Sequence, residues 1–288
     1  MRIFIIKSLL FSVVLLFTLL SLLCVTTWMC SMSFHYKIAE EKTTLITGHS
    51  MAECSINDNI YLRSTNMAKS ATGYFYSYLK IRRLKKENPQ IDTVILGISF
   101  SDIGEGADER FVSLERLKSK LPNYLFLCEM DDLYSIYSAV GPKSLFCLPP
   151  AIFKNIQILG KGISELGSFR QLNVNRLGAD VDAALKVSES ADTTELALYE
   201  TYYLLEINKF CRDNNIKLIL LHIPIHSSVL NGSHVYKSSY KELISEFEPN
   251  TTLVDYSTFS IPDTCFADKY HLNTQGATMF SEYLQEHR

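Results

Sequence analysis

Two short blocks, far apart in the chain, hold side chains able to do acyl chemistry. The first is Gly48-His49-Ser50. The second is Asp268-Lys269-Tyr270-His271, followed by Leu272-Asn273-Thr274-Gln275-Gly276-Ala277. A serine hydroxyl is a weak nucleophile until a base takes its proton. A carboxylate three residues before a histidine on a turn can hold the imidazole in the tautomer that does so. Ser50 on a tight strand-to-helix turn would present its hydroxyl above a sheet, with the N–H groups that follow it, Met51 first, aimed at a developing oxyanion. Ser50 is also the residue type of a plain helix N-cap, and the late Asp268/His271 pair is what favours the chemical reading. The remaining candidates are weaker. His222 and His226 flank Pro224. An i,i+4 pair suits a metal only on a helix, and the proline argues against one, so no metal site is expected. His226 fits better as a loop contact to substrate, and His49 as either such a contact or a turn residue. Asp102, Glu105 and Asp108 show no spacing that marks a catalytic carboxylate pair. Ser/His/Asp chemistry needs no cofactor.

The elements that must position these blocks alternate. Thr43–Thr47 is a short β-branched run stopped by Gly48, and His49-Ser50-Met51 opens a helix with Ser50 near its cap. Residues 60–63 offer a second strand. Tyr74 to Glu87 is helical, with Tyr74, Tyr78, Ile81 and Leu84 near a 3.6 period, a basic end that suits the helix dipole, and Asn88-Pro89 as the stop. The tyrosine-rich start of that helix reads as core. Thr93–Ile98 and Lys217–Ile223 are continuous apolar strands of the kind covered on both faces. A helix over 195–214 with Leu198, Tyr202, Leu205 and Phe210 in phase, another near 236–247, a strand at 252–255 and a last helix over 274–286 complete the pattern. The expected fold is therefore α/β, a flavodoxin-like three-layer sandwich around a central parallel sheet. Residues from about 105 to 190 break the rhythm and read as an insertion capping the strand ends, with one possible helix over 110–121.

Ahead of this domain, no side chain between Lys7 and His35 is ionisable except the thiols of Cys24 and Cys30. The apolar run from Ser8 to Trp28 is long enough to cross a bilayer core, which needs about 20 helical residues. It exceeds the apolar core of a cleaved signal, and no small-residue cleavage site follows. Residues 1–35 thus read as an uncleaved signal anchor and 36–288 as the domain. Arg2 and Lys7 before the span, against Lys37 and Lys42 after it, tilt slightly toward an inside N-terminus, which places the domain outside the cytoplasm. The five cysteines beyond the anchor are scattered, without zinc or disulfide spacing, and read as buried free thiols. The formal net charge of -3, from 28 Lys+Arg and 31 Asp+Glu, gives a nucleic-acid role no electrostatic support.

With its serine in an early G-x-S block and its Asp and His in a late D-x-x-H block, the chain resembles the SGNH (GDSL-like) hydrolase superfamily. The resemblance covers about 43–103 and 195–288, and DKYHLNTQGA is its stronger half. With the single N-terminal anchor, it looks more narrowly like the membrane-anchored SGNH-like proteins of bacterial cell-surface polysaccharide loci. The resemblance implies Ser50 as nucleophile, His271 as general base and Asp268 as its orienter. It also implies a serine esterase or O-acyltransferase acting on acyl groups of a surface glycan at the inner membrane, with other polysaccharide-assembly proteins as partners. The chain departs from the pattern in three places. His49 stands where the family has Asp, the Gly of the family's second block has no clear counterpart, with Asn66, Ser70 and Gly73 all in range, and the block Gly97-Ile98-Ser99-Phe100-Ser101-Asp102 lacks the family's Asn. Ser70 in the second block, and the Ser99 or Ser101 hydroxyl in the third, are then the candidate replacement oxyanion donors. Losing one such donor typically costs about 10²–10³ in kcat, so an inactive relative that binds polysaccharide or scaffolds an export complex is the alternative.

Overall fold

The computed structural model describes residues 1–162, 166–177, 195–230, 236–247 and 250–287. Among them lie five strands: β1 (Thr44–Gly48), β2 (Ser64–Asn66), β3 (Thr93–Ile98), β4 (Lys217–His222) and β5 (Thr251–Asp255). They form one parallel sheet in the order β2-β1-β3-β4-β5. This is the flavodoxin-like α/β arrangement the alternation predicts. Leu45, Ile46, Leu96, Leu218 and Leu220 are almost fully buried in the three central strands. Each such side chain contributes roughly 1.5–3 kcal/mol of transfer free energy, which is why these runs pair as inner strands. The order reverses between β1 and β3, so the crevice for a ligand opens at their carboxyl ends. Gly48 and Gly97 face each other there. A Cβ on Gly48, whose φ is +127°, would lie 2.6 Å from the Gly97 carbonyl oxygen, so only glycine fits.

Among the described residues the α-helices are α1 (Arg2–Ser33), α2 (Ser50–Ser55), α3 (Tyr74–Glu87), α4 (Glu109–Val112), α5 (Leu114–Lys120), α6 (Met130–Val140), α7 (Leu148–Lys161), α8 (Leu198–Asp213), α9 (Lys237–Ser245) and α10 (Thr274–Glu286). Three sequence expectations need correction. Residues 60–63 form a turn, not a strand, because Arg63 adopts a left-handed φ of 61° that breaks an extended run; the strand begins at Ser64. The single helix expected over 110–121 is two, parted by the extended Ser113. In α8 the buried face is Glu200, Tyr203, Leu204, Ile207, Asn208 and Cys211, while Leu198, Tyr202 and Leu205 are exposed. Polar anchors set that rotation. Asp108 caps the first turn by accepting from the Leu198, Tyr199 and Glu200 N–H groups at 2.7, 2.8 and 3.1 Å. Tyr203 then packs edge-on to Phe75, 4.9 Å between centroids.

The chain divides into two units. The sheet belongs to Tyr36–Phe111 with Leu166–Arg288, and the other unit is Met1–His35 with Val112–Glu165. Of the expected insertion, positions 105–111 and 166–177 thus belong with the sheet, 112–162 with α1, and 178–190 lie outside the described residues. Helix α1 is 32 residues long, exceeds the apolar run at both ends and is long and apolar enough to span a membrane. Within its unit, α1 pairs with α7 through the buried Asn155. The Asn155 amide donates to the Thr26 and Thr27 hydroxyls at 3.1 and 2.8 Å. The Cys30 thiol donates to the Asn155 carbonyl at 3.4 Å. All seven cysteines are free thiols, and burial pushes Cys54 and Cys211 up to about 12, which makes them unreactive packing residues.

Candidate active site

The first block sits where β1 ends. After Gly48, His49 takes extended backbone and caps α2, its Nδ1 accepting a long 3.4 Å bond from the Met51 N–H. The cap is thus His49, and Ser50 is the first helical residue, which leaves the Ser50 hydroxyl free of capping duty. Asn66 pins α2 from below, its amide donating to the carbonyls of Ala52 and Ile56 at 3.0 and 2.7 Å. The loop after β2 closes beside it, with the Lys69 N–H on the Gly48 carbonyl at 3.0 Å.

The second block is a tight turn. The Ala267 N–H bonds the His271 carbonyl at 2.8 Å, and Phe266 bridges Leu272. Asp268 Oδ1 accepts from the backbone N–H groups of Tyr270 and His271 at 2.8 and 3.0 Å. Asn273 caps α10, its Oδ1 accepting from the Gln275 and Gly276 N–H groups at 3.0 and 3.1 Å. Gly276 must be glycine because a Cβ there would lie 2.3 Å from the Cys265 carbonyl oxygen. Leu272 and Ala277 are fully buried and fix the turn to the core.

These two turns meet. His271 Nε2 lies 2.7 Å from Ser50 Oγ, and His271 Nδ1 lies 2.9 Å from both Asp268 carboxylate oxygens. With Nδ1–H donating to Asp268, the Nε2 lone pair faces the serine hydroxyl, the arrangement of a general base. Burial alone would raise Asp268, but the His271 ring and the two backbone N–H groups outweigh it and hold the carboxyl below its usual range. His271 and Asp268 keep side-chain exposures of 24% and 36%, so the site is open to solvent rather than walled off.

The expected oxyanion donors are already engaged. Both the Ser70 N–H, at 2.8 Å, and the Ser70 hydroxyl bond Glu53 Oε2. The Ser99 N–H donates to Asp102 Oδ2 at 2.7 Å, and the Ser99 hydroxyl shares a 2.9 Å bond with Ser101. The Met51 N–H, held only by its long contact to His49, is the one a developing oxyanion competes for most easily. His226 is engaged as well, its ring nitrogens bonding Asp263 at 3.3 Å and Ser228 at 2.8 Å. Its backbone N–H on the Lys269 carbonyl at 3.0 Å braces the Asp268–His271 turn. His222 is fully buried against Phe100. Among the described residues no group of three or more His, Cys, Asp or Glu side chains is arranged to hold a metal.

One cluster escaped the sequence reading. His49 Nε2 donates to Asp102 Oδ2 at 3.1 Å, so a second His–Asp pair flanks Ser50. Asp102 also accepts from Arg110 at 2.7 Å and the Tyr74 hydroxyl at 3.2 Å. Burial pushes the Asp102 carboxyl up, yet His49, Arg110 and the Ser99 N–H together hold it well below the carboxylate range. Nearby, Glu200 accepts from the Tyr74 N–H at 2.8 Å and is pushed up to about 7, chiefly by burial. The position of Asp102 at the end of the Gly97–Asp102 block was the available signal; Arg110, Tyr74 and Glu200 lie on separate helices and carry none.

A profile of an uncharacterised protein family matches residues 169–287, which include Asp268 and His271 but not Ser50. Comparison with curated proteins finds no match.

Proposed function

We propose that this protein is a serine esterase or O-acyltransferase of SGNH-like type, tethered by α1 to the inner membrane and acting outside the cytoplasm on acyl groups of a surface glycan. The observation that carries the reading is the 2.7 Å contact between Ser50 Oγ and His271 Nε2, with Asp268 on the far side of the ring. In the first half-reaction Ser50 Oγ attacks the ester carbonyl while its proton passes to His271 Nε2. Asp268 stabilises the imidazolium, and the Met51 N–H turns to the oxyanion. Collapse breaks the ester bond, and His271 returns the proton to the departing sugar hydroxyl, leaving an acyl-Ser50. Water or an acceptor hydroxyl, deprotonated by the same His271, then takes the acyl group. Partners in glycan assembly would supply the donor or receive the product.

A second reading has its own support. Ser70 and Ser99 already spend their donors on Glu53 and Asp102, which suits an inactive SGNH-like fold that binds glycan or scaffolds export. A fluorophosphonate probe on the purified chain separates the two. Labelling that is lost in Ser50→Ala and falls at least tenfold in His271→Ala supports catalysis. Absence of labelling from wild type across neutral and mildly alkaline pH refutes it.

A further inference from the structure

We infer that the segment following α5, from α6 through α7, lies in the surface of the same bilayer that α1 spans, so that the unit containing the anchor holds the membrane by more than its single helix. This rests on α1 being a span and not on the serine chemistry.

Helix α6 is apolar on its outer face. Met130, Leu133, Tyr134 and Tyr137, spaced i, i+3, i+4 and i+7, form one stripe and all are exposed, Met130 at 78% and Tyr134 at 72%. The residues it buries are Asp132 and Ile136. A capping box sets this rotation, because Asp132 turns back to accept from the Glu129 N–H at 2.7 Å and so occupies the inner side. Helix α7 is apolar on two sides. Ala151, Ile152 and Ile158 are buried, while Phe153 and Ile156 point outward, Phe153 at 65% exposure. A water-facing helix surface would place polar residues at these positions, and contiguous apolar exposure of this kind marks a contact surface.

The anchor identifies what covers it. Asn155, between Phe153 and Ile156 in sequence, bonds Thr26 and Thr27 and is tied through its carbonyl to Cys30. The apolar run of α1 ends at Trp28, and about 20 residues fill the hydrocarbon core, so this level is the headgroup boundary. Trp28, the single tryptophan of the chain, is exposed at the same level, where indole and phenol rings partition. Helix α7 is therefore docked to α1 at interfacial depth. The turn Gly141–Cys147 joins α6 directly to it. Outward Phe and Ile on α7 and outward Tyr, Leu and Met on α6 are the composition of an interfacial helix pair.

The test reconstitutes the full-length protein in phosphatidylethanolamine/phosphatidylglycerol nanodiscs doped with a diazirine-bearing phospholipid, irradiates, and maps the adducts by peptide mass spectrometry. The expected result is lipid adducts on peptides covering Met130–Tyr137 and Phe153–Ile156, at yields comparable with those at Met29–Met32 and well above those on α10. Adducts confined to α1 overturn the inference, as does cross-linking of these faces to a second copy in their place. Absence of adducts on α1 itself overturns it at its premise, whatever the fluorophosphonate result.

Discussion

Glu200 is a buried side chain whose ionisation the fold opposes, and replacing it should stabilise the protein in a pH-dependent way. Its carboxyl is almost fully buried and is raised from 4.5 to about 7, by burial first and by its neighbours Asp102 and Asp108, against the pull of Arg110 and the Tyr74 N–H. A folded-state value above the unfolded one means the native chain holds the proton more tightly. The contribution is then fully present below pH 4.5, declines as pH rises through about 7, and is absent above it. At about 1.4 kcal/mol per unit, the loss between acid and mildly alkaline conditions is about 3 kcal/mol. Glu200→Gln is neutral at every pH and keeps an oxygen for the Tyr74 N–H. The variant should match wild type near pH 5 and exceed it by about 3 kcal/mol near pH 8.5, an upward shift of about 6–12 °C in Tm. Urea melts of both chains across this range measure the difference, and because every other titrating group is common to the two, the subtraction isolates Glu200. A difference that stays flat with pH, or that grows toward acid, refutes the assignment of a buried, proton-holding carboxyl.

Lys80 tests the opposite sign. It is fully buried, donates to the Met67 carbonyl, and is lowered to about 7 by burial. Its contribution is present at pH values above the unfolded value of 10.5 and is lost as pH falls through about 7. Lys80→Met should therefore gain about 4 kcal/mol below pH 7, after subtracting roughly 1 kcal/mol for the lost hydrogen bond, and gain nothing near pH 10; a variant weaker at pH 6 would count against it. His49→Asp creates a Gly-Asp-Ser sequence, yet it places a second carboxylate beside Asp102 and removes a donor from it. It should lower stability by about 1–3 kcal/mol and slow fluorophosphonate labelling, and a variant that melts and labels like wild type would show that the His49–Asp102 contact carries nothing.

The sheet was legible because β1 is a β-branched run stopped by Gly48 and β3 and β4 are continuous apolar runs, a local signal that burial on two faces imposes. Strand β2 was not, since three residues beside a left-handed Arg63 carry no periodicity. The phase of α8 was misread for a different reason. Its rotation is set by Asp108 and by the buried Glu200, polar contacts invisible to a hydrophobic pattern, and they turn an apolar-looking stripe outward. Ser50, Asp268 and His271 could be read because each block is short and its turn chemistry is local. The Asp102 cluster could not, because it assembles residues from α2's cap, α3, α4 and α8 only after the chain has folded.

The two His–Asp pairs beside Ser50 differ in what surrounds their carboxylates, and under the proposed function that difference gives them different tasks. Asp268 is bonded by the His271 ring and by backbone N–H groups, in a turn that solvent reaches, which suits the proposed passage of a proton from Ser50 to His271 and back. Asp102 is sealed beneath Arg110, Tyr74 and the Ser99 N–H, and it stays ionised with His49 donating to it. His49 then has its Nε2–H committed and its Nδ1 turned to the Met51 N–H, which fixes the backbone at the point where an oxyanion would develop. After the first glycine the chain places a histidine ring on a carboxylate brought from the end of β3. The strand pair Gly48/Gly97 makes that contact possible, because the closeness of the two glycine backbones puts the residues following β1 within reach of those following β3.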